Sequence, residues 1–236
     1  TNSDYTIING NKDKCNDYWD HTMILYNNKK WRPVGGSISG CFDNKLHIIQ
    51  KFERVNSNET VVVIGAHLCH QLCGLDYSDS TTCLTTSGGQ GEQIKDNLIL
   101  LEITDNDNII LIADTNASTK SVSQTDAGIG PNDPCPNIYE SKELLDAIGV
   151  KNYKLSTYYP STESAYNGTC CNETSQRKQY MFYNFDRVIT NFGSYIKTYA
   201  PDLPDSLKGL QCDAIYPDES YDTVMHRLII GKIYYN

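Results

Sequence analysis

Thr60-Val-Val-Val-Ile-Gly-Ala-His67-Leu68 and Asn108-Ile-Ile-Leu-Ile-Ala113-Asp114-Thr-Asn116 are the two stretches that decide how the rest of the chain is read. Each is a continuous apolar run of strand length that ends on groups able to do chemistry. Runs without alternation mark strands buried on both faces. Polar side chains just past the C-terminal ends of such strands sit where the sheet stops and a loop can hold a ligand. Between the two runs, Gln90 to Thr104 has helical spacing, with Ile94, Leu98 and Leu101 on one stripe and Gln93, Asn97 and Glu102 off it.

Working outward, short apolar runs bounded by turn residues predict further strands: His21-Thr-Met-Ile-Leu-Tyr26, Leu46-His-Ile-Ile-Gln-Lys-Phe52, Phe185-Asp-Arg-Val-Ile-Thr190, Ser194-Tyr-Ile-Lys-Thr-Tyr199 and Arg227-Leu-Ile-Ile-Gly-Lys-Ile-Tyr234. Asn27-Asn-Lys-Lys30 before Trp31 reads as a hairpin turn. Ser141 to Ile148 reads as a short helix carrying Glu143-Leu-Leu. Thr1 to Asp20 is polar and turn-rich, Cys69 to Gly89 is a Cys/Ser/Thr/Gly-rich loop, and Ser156 to Lys178 is a loop carrying Cys170-Cys171. There is no repeat and no low-complexity tract. Strands dominate, so the expected fold is α+β, sheet packed on sheet with helices outside.

The 236 residues make one domain of ordinary size, long enough to bury a full core without disulfides. Twenty Lys+Arg against 29 Asp+Glu give a net charge of −9. That excludes a protein held on nucleic acid or an anionic membrane by charge alone. It leaves room for an enzyme that meets phosphates through a divalent cation. With a mean hydropathy of −0.48 and no apolar run beyond about seven residues, no transmembrane helix is expected. The chain opens on Thr1 and shows no signal peptide, and reads as a processed product rather than a whole gene product.

The nine cysteines are Cys15, Cys41, Cys69, Cys73, Cys83, Cys135, Cys170, Cys171 and Cys212. Cys69-x-x-x-Cys73 has no matching Cys or His pair downstream, so zinc is the weaker reading and disulfides in an oxidising compartment the stronger. Four N-glycosylation sequons agree with a secreted or lumenal protein: Asn58-Glu-Thr, Asn116-Ala-Ser, Asn167-Gly-Thr and Asn172-Glu-Thr. An odd count leaves one cysteine free, bonded to another chain, or paired with a segment beyond these residues.

Four places carry candidate chemistry: His67, Asp114-Thr-Asn116, Asp186-Arg187 and His226. Taken singly each has a bland explanation. A His after a strand is often a satisfied structural residue, Asp-x-Asn is often a turn that caps local N–H groups, and Asp-Arg is often a local ion pair. Their order along the chain is what gives them weight.

That order resembles the endonuclease/exonuclease/phosphatase superfamily, the deoxyribonuclease-I-like fold. Val-Ile-Gly-Ala-His67-Leu resembles its strand ending in His. Ile-Leu-Ile-Ala-Asp114-Thr-Asn116 is similar to its Gly-Asp-Phe-Asn motif, Tyr-Asn-Phe-Asp186-Arg187-Val-Ile to its Tyr-Asp-Arg-Ile/Val motif, and Val-Met-His226-Arg-Leu-Ile to its closing Ser-Asp-His motif. The resemblance runs from about Met23 to Ile233. It implies a four-layer α/β/β/α sandwich of two mainly antiparallel sheets and a phosphodiester hydrolase, a nuclease in the first instance. Mg²⁺, or Mn²⁺ or Ca²⁺ in its place, would neutralise the phosphate. Asp114 would activate water, Asn116 would orient it and hold the phosphate, His67 and His226 would donate to the non-bridging oxygens, and Asp186 would support them.

Three departures favour an alternative, a degenerate member serving as an extracellular binding or structural module. Met225 stands where the family has the Asp that partners the last His, and Asp222 is the nearest carboxylate that could replace it. The family's opening strand, helix and metal-binding Glu are not recognisable before Met23; one domain over residues 1–236 would then lack its usual N-terminal portion, supplied elsewhere or by a disulfide-linked or non-covalent partner chain. Asn116 also heads a sequon, and a glycan there would block the cleft. Nucleic-acid contacts, if made, would come from Tyr159, Arg177 and Lys178, or from Lys29, Lys30 and Arg32, whose plainer reading is a solvated turn.

Overall fold

The two apolar runs form neighbouring parallel strands at the centre of a five-stranded sheet. The computed structural model describes residues 4–11, 13, 15, 21–69, 71–72, 84–85, 87–115, 117–118, 134–135, 137–138, 141–151, 170–173, 180–183, 186–193, 195–199, 225–226 and 230–234. Its strands begin with β1 (Tyr5–Asn9), β2 (Met23–Asn27), β3 (Trp31–Phe42), β4 (Lys45–Arg54), β5 (Thr60–His67), β6 (Gln71–Leu72), β7 (Ile109–Asp114) and β8 (Ala117–Ser118). They continue with β9 (Pro134–Cys135), β10 (Asn137–Ile138), β11 (Cys170–Glu173), β12 (Tyr180–Tyr183), β13 (Asp186–Thr190), β14 (Tyr195–Tyr199), β15 (Met225–His226) and β16 (Ile230–Tyr234). The helices are α1 (Gln90–Leu100) and α2 (Ser141–Ala147).

The five-stranded sheet has the order β13-β7-β5-β4-β3, with β5 and β7 parallel and the other ladders antiparallel. Residues alternate between its faces. Val62, Ile64 and Ala66 of β5 and Ile109, Leu111 and Ala113 of β7 pack with Ile94 and Leu98 of α1 and Leu144 and Leu145 of α2. This helix-covered side holds the larger of the two cores. Val61 of β5, Ile48 and Phe52 of β4, Ile24 of β2 and Phe192 form the core on the other side, where Ile8, Tyr26, Ile110 and Ile233 pack against them. That second side is covered by strands. The pairs β1-β2 and β14-β16 are antiparallel. Gly231 of β16 comes so near β13 that a Cβ there would lie 2.8 Å from Val188 Cγ1.

The described residues thus hold an α/β/β arrangement, with the five-stranded sheet between helices on one flank and the strand pairs β1-β2 and β14-β16 on the other, the expected α+β architecture. The outer helical layer of a four-layer sandwich has no element among them.

Several local expectations are corrected. Asn27 to Lys30 is a turn but not a hairpin: β2 pairs with β1 and β3 with β4, so it passes the chain between two sheets. Tyr5–Asn9 is a strand inside the stretch read as turn-rich, and Cys170–Glu173 is a strand within the expected loop. Helix α1 stops at Leu100 rather than continuing to Thr104. Glu102 takes a left-handed φ of 55°, and the Ile103 and Glu102 N–H groups close back on the Leu98 and Ile99 carbonyls, a Schellman ending without glycine. At its start, where Gly89 offers no capping side chain, Glu92 reaches back to the Gly88 N–H.

Candidate functional site

In the ladder between β5 and β7, His67 lies opposite Asp114, and in the ladder between β7 and β13, Asp114 lies opposite Asp186. Three candidate residues from three distant parts of the chain therefore form one cross-strand row. The parity of each strand places the row on the side facing β1, β2 and β16. Behind it along the strands come Gly65, Ile112 and Val188, and deeper still Val63, Ile110 and Thr190. The sheet is thus mainly apolar in its depth, Thr190 and Gln50 excepted, and polar at its margin, where the three groups keep access to solvent. The His67 and Asp114 side chains retain 28% and 18% of their exposure.

His67 Nε2 stands 3.5 Å from Asp114 Oδ2, beyond an ideal hydrogen bond and close enough for the imidazole and carboxylate to act on one small group. The peptide beneath them is pinned, because the Leu68 N–H donates to the Asp114 carbonyl at 2.8 Å. Arg187 follows Asp186 on the strand and so points to the opposite face, where it is buried beside the helix-side core. The local ion-pair reading of Asp186-Arg187 does not fit that alternation.

Asp114 and Asp186 side by side on adjacent strands supply hard oxygen donors of the kind a divalent cation takes, one or two carboxylates being enough for Mg²⁺ when water and phosphate complete the shell. The donor chemistry fits such an ion. No group of three or more metal-ligating side chains occurs among the described residues.

The other expected members belong to another sheet or lie outside the description. His226 belongs to β15, which pairs with β11 (Cys170 opposite His226, Cys171 opposite Met225) in the sheet β12-β11-β15. No ladder among the described residues joins that sheet to the row. Asn116 and Asp222, and likewise Tyr159, Arg177 and Lys178, lie outside the described residues. Arg32 and Lys29 are not at this mouth. Arg32 opposes Glu53 and pairs with it at 2.9 Å, at the end of the sheet where β5 begins. That is about 23 Å from His67 at the usual rise per residue. Lys29 is held by Asp4 at 2.8 Å. Both therefore lie at the end of the sheet away from the row, as parts of exposed ion pairs.

Two features escaped the sequence reading. Ile112, in a run read as buried on both faces, is 49% exposed directly behind the row. Gln90 is fully buried at the head of α1, in contact with the backbone that carries His67. Its signal was available: residues 90, 94, 98 and 101 fall on one helical stripe, so a carboxamide heads a row of core residues.

No family model matches the chain, and no curated protein matches its sequence. Solved structures do match. An endonuclease/exonuclease/phosphatase family protein from Bacteroides thetaiotaomicron superposes with a TM-score of 0.52 at 12% identity, over 98% of this chain and 76% of that one. The chain has the endonuclease/exonuclease/phosphatase fold. A mannosyl-6-phosphatase from Bacteroides thetaiotaomicron VPI-5482 aligns with a TM-score of 0.50, also at 12% identity, over 97% of this chain and 76% of that one. A fold hosts many reactions, so what this endonuclease/exonuclease/phosphatase fold does here rests on the row itself.

Proposed function

We propose that the protein is a metal-dependent phosphoester hydrolase, acting on phosphodiesters and in the first instance on nucleic acid. The observation that carries this reading is the row His67–Asp114–Asp186 at one margin of the sheet. The fold supports it, since the similar structures include a phosphatase. In this reading Asp114 accepts the proton of the attacking water, a role worth about 10²–10⁴ in rate for a positioned carboxylate. His67 donates from Nε2 to a non-bridging phosphate oxygen as charge gathers there. Asp186 holds the acidic character of the mouth, Asn116 orients the water and the phosphate, and His226 is a second donor. A divalent cation held by Asp114 and Asp186 would offset the phosphate charge and stabilise the leaving oxygen.

The reading includes an oxidising compartment. Cys15 and Cys41 are disulfide-bonded with Cα atoms 5.4 Å apart, and Cys69 is also in a disulfide. No helix among the described residues is long and apolar enough to cross a membrane. Asn58, in the exposed turn between β4 and β5 at the end of β5 away from His67, is a sequon able to carry a glycan without touching the mouth.

The second reading, a binding module without turnover, is favoured by Met225. An imidazole without its carboxylate partner loses orientation. A substrate panel decides between them: plasmid DNA, RNA, an inositol phosphate and bis(p-nitrophenyl) phosphate, each with Mg²⁺ or Mn²⁺ and with EDTA, using protein secreted from a eukaryotic host. EDTA-sensitive cleavage of any of these supports the hydrolase. Silence on all of them from the full gene product supports the module.

A further inference from the structure

We infer that Gln90 is a positioning residue for His67, an inference that rests on the hydrolase reading of the row. Past His67 the chain leaves the ladder: β4 begins at Lys45, and the last recorded pair between β4 and β5 is His47 with Ala66. Leu68 and Cys69 are nevertheless buried, and buried peptide groups need partners. Gln90 supplies them from a different element. Its Nε2 donates to the His67 carbonyl at 2.8 Å and reaches the Lys45 carbonyl at 3.5 Å, while its Oε1 accepts from the Cys69 N–H at 2.7 Å.

A carboxamide carries a donor and an acceptor in one plane, as a peptide does. Gln90 therefore adds one rung at the place where the pairing of β4 with β5 has ended. The His67 peptide is then held from both sides, its carbonyl by Gln90 and the following N–H by the Asp114 carbonyl. The imidazole facing Asp114 stands on a backbone that cannot rotate without breaking a buried hydrogen bond. These hydrogen bonds of Gln90 go to backbone groups and not to the His67 ring or the Asp114 carboxylate, so its effect on the chemistry passes through the position of His67.

Three variants test this, with turnover of bis(p-nitrophenyl) phosphate in Mg²⁺ and amide hydrogen exchange followed by NMR. Gln90→Met keeps the volume and removes both bonds. Exchange of the Cys69 amide should rise about 10–100-fold, with the later turns of α1 still protected. The kcat should fall up to about 100-fold with KM little changed, as for a reacting group displaced by a fraction of an ångström to an ångström. Gln90→Glu restores the donor only when its carboxyl is protonated, so the ratio of its kcat to that of wild type should climb as pH falls, read only at pH values where melts show both proteins fully folded, since a buried carboxylate also weakens the fold as it ionises. Gln93→Met, on the same helix but off the stripe, should match wild type.

Wild-type kcat and wild-type Cys69 protection in Gln90→Met would overturn the inference. So would a Gln90→Glu ratio independent of pH. If the wild-type protein turns over no substrate, the hydrolase reading fails by itself. Gln90 is then judged on the Cys69 amide and the His67 ring resonances, and no change in these in Gln90→Met rejects it.

Discussion

The two faces of the five-stranded sheet share their strands and differ in what they do with them. The face under α1 and α2 is closed and apolar, with Ile49, Val62, Ile64, Leu111, Leu144 and Leu145 nearly or fully buried. The face toward β1, β2 and β16 is closed only in its depth. Toward the margin it passes from Ile48 and Phe52 through the half-exposed Ile112 to His67, Asp114 and Asp186. One side of each strand feeds the helix-side core, and the other feeds a second core that opens at its margin into the polar row. A change at Ala113 or Leu111 is therefore a packing change, whereas one at Asp114 meets solvent and the row.

That division can be broken from either side. The largest effect expected is on turnover: Asp114→Asn should lower kcat by about 10²–10⁴ while the melting temperature stays close to wild type, read by kinetics and calorimetry on the same samples. Leu111→Ala on the closed face should do the reverse. It should cost about 2–5 kcal/mol in a urea melt, as large-to-small core substitutions do, and leave kcat near wild type at temperatures where the variant remains folded.

A smaller effect comes from the polar intruder on the closed face. His47 is fully buried, its Nε2 meets Asn97 Nδ2 at 2.9 Å, and its Nδ1 has no partner among the described residues. Burial lowers its pKa to about 4. The unfolded imidazole titrates near 6.5, so between those values the unfolded chain binds the extra proton and stability falls as pH drops from about 6.5 to about 4. The loss amounts to about 3 kcal/mol. Urea melts across that range should show the slope in wild type and its absence in His47→Gln.

Asp107 adds to the loss at lower pH. Burial raises its carboxyl, but hydrogen bonds from Lys51 and from the Thr104 backbone and hydroxyl, with the Lys51 charge, outweigh that and hold it below its ordinary value. Its contribution is present above the usual carboxylate range and disappears as pH falls through the lowered folded value. The smallest effect belongs to the far end of the sheet. Arg32→Ala removes an exposed pair with Glu53 and should change stability by no more than about 1 kcal/mol and substrate binding not at all, measured as KM.

Much of the row was legible because its members close apolar runs whose direction and burial are local properties. His67 and Asp114 end such runs, and the run after Asp186 is equally plain. What sequence could not supply was register, which depends on partners far away. Nothing near Asn27 says that β2 pairs backward with β1 while β3 goes on to β4. Strand β1 is short and set among polar residues, and the edge strand β3 carries Pro33, two adjacent glycines and a register shift between Val34 and Ile38, so neither presents an apolar run. The end of α1 was misplaced because its left-handed residue is Glu102, where glycine is the usual signal. Carboxamides that finish strands were equally hidden. Asn191 accepts from the Ile109 N–H and donates to the Asp107 carbonyl, doing for the start of β7 what Gln90 does for the end of β5.

The open face at Asp114 is where a phosphoester would be cleaved. The direct measurement is the initial rate of bis(p-nitrophenyl) phosphate hydrolysis by wild type and Asp114→Asn, with Mn²⁺ and with EDTA, both proteins confirmed folded by their melts. Turnover that EDTA abolishes and Asp114→Asn lowers at least about 100-fold is the predicted result. Turnover indifferent to EDTA, or equal in the two proteins, would contradict it.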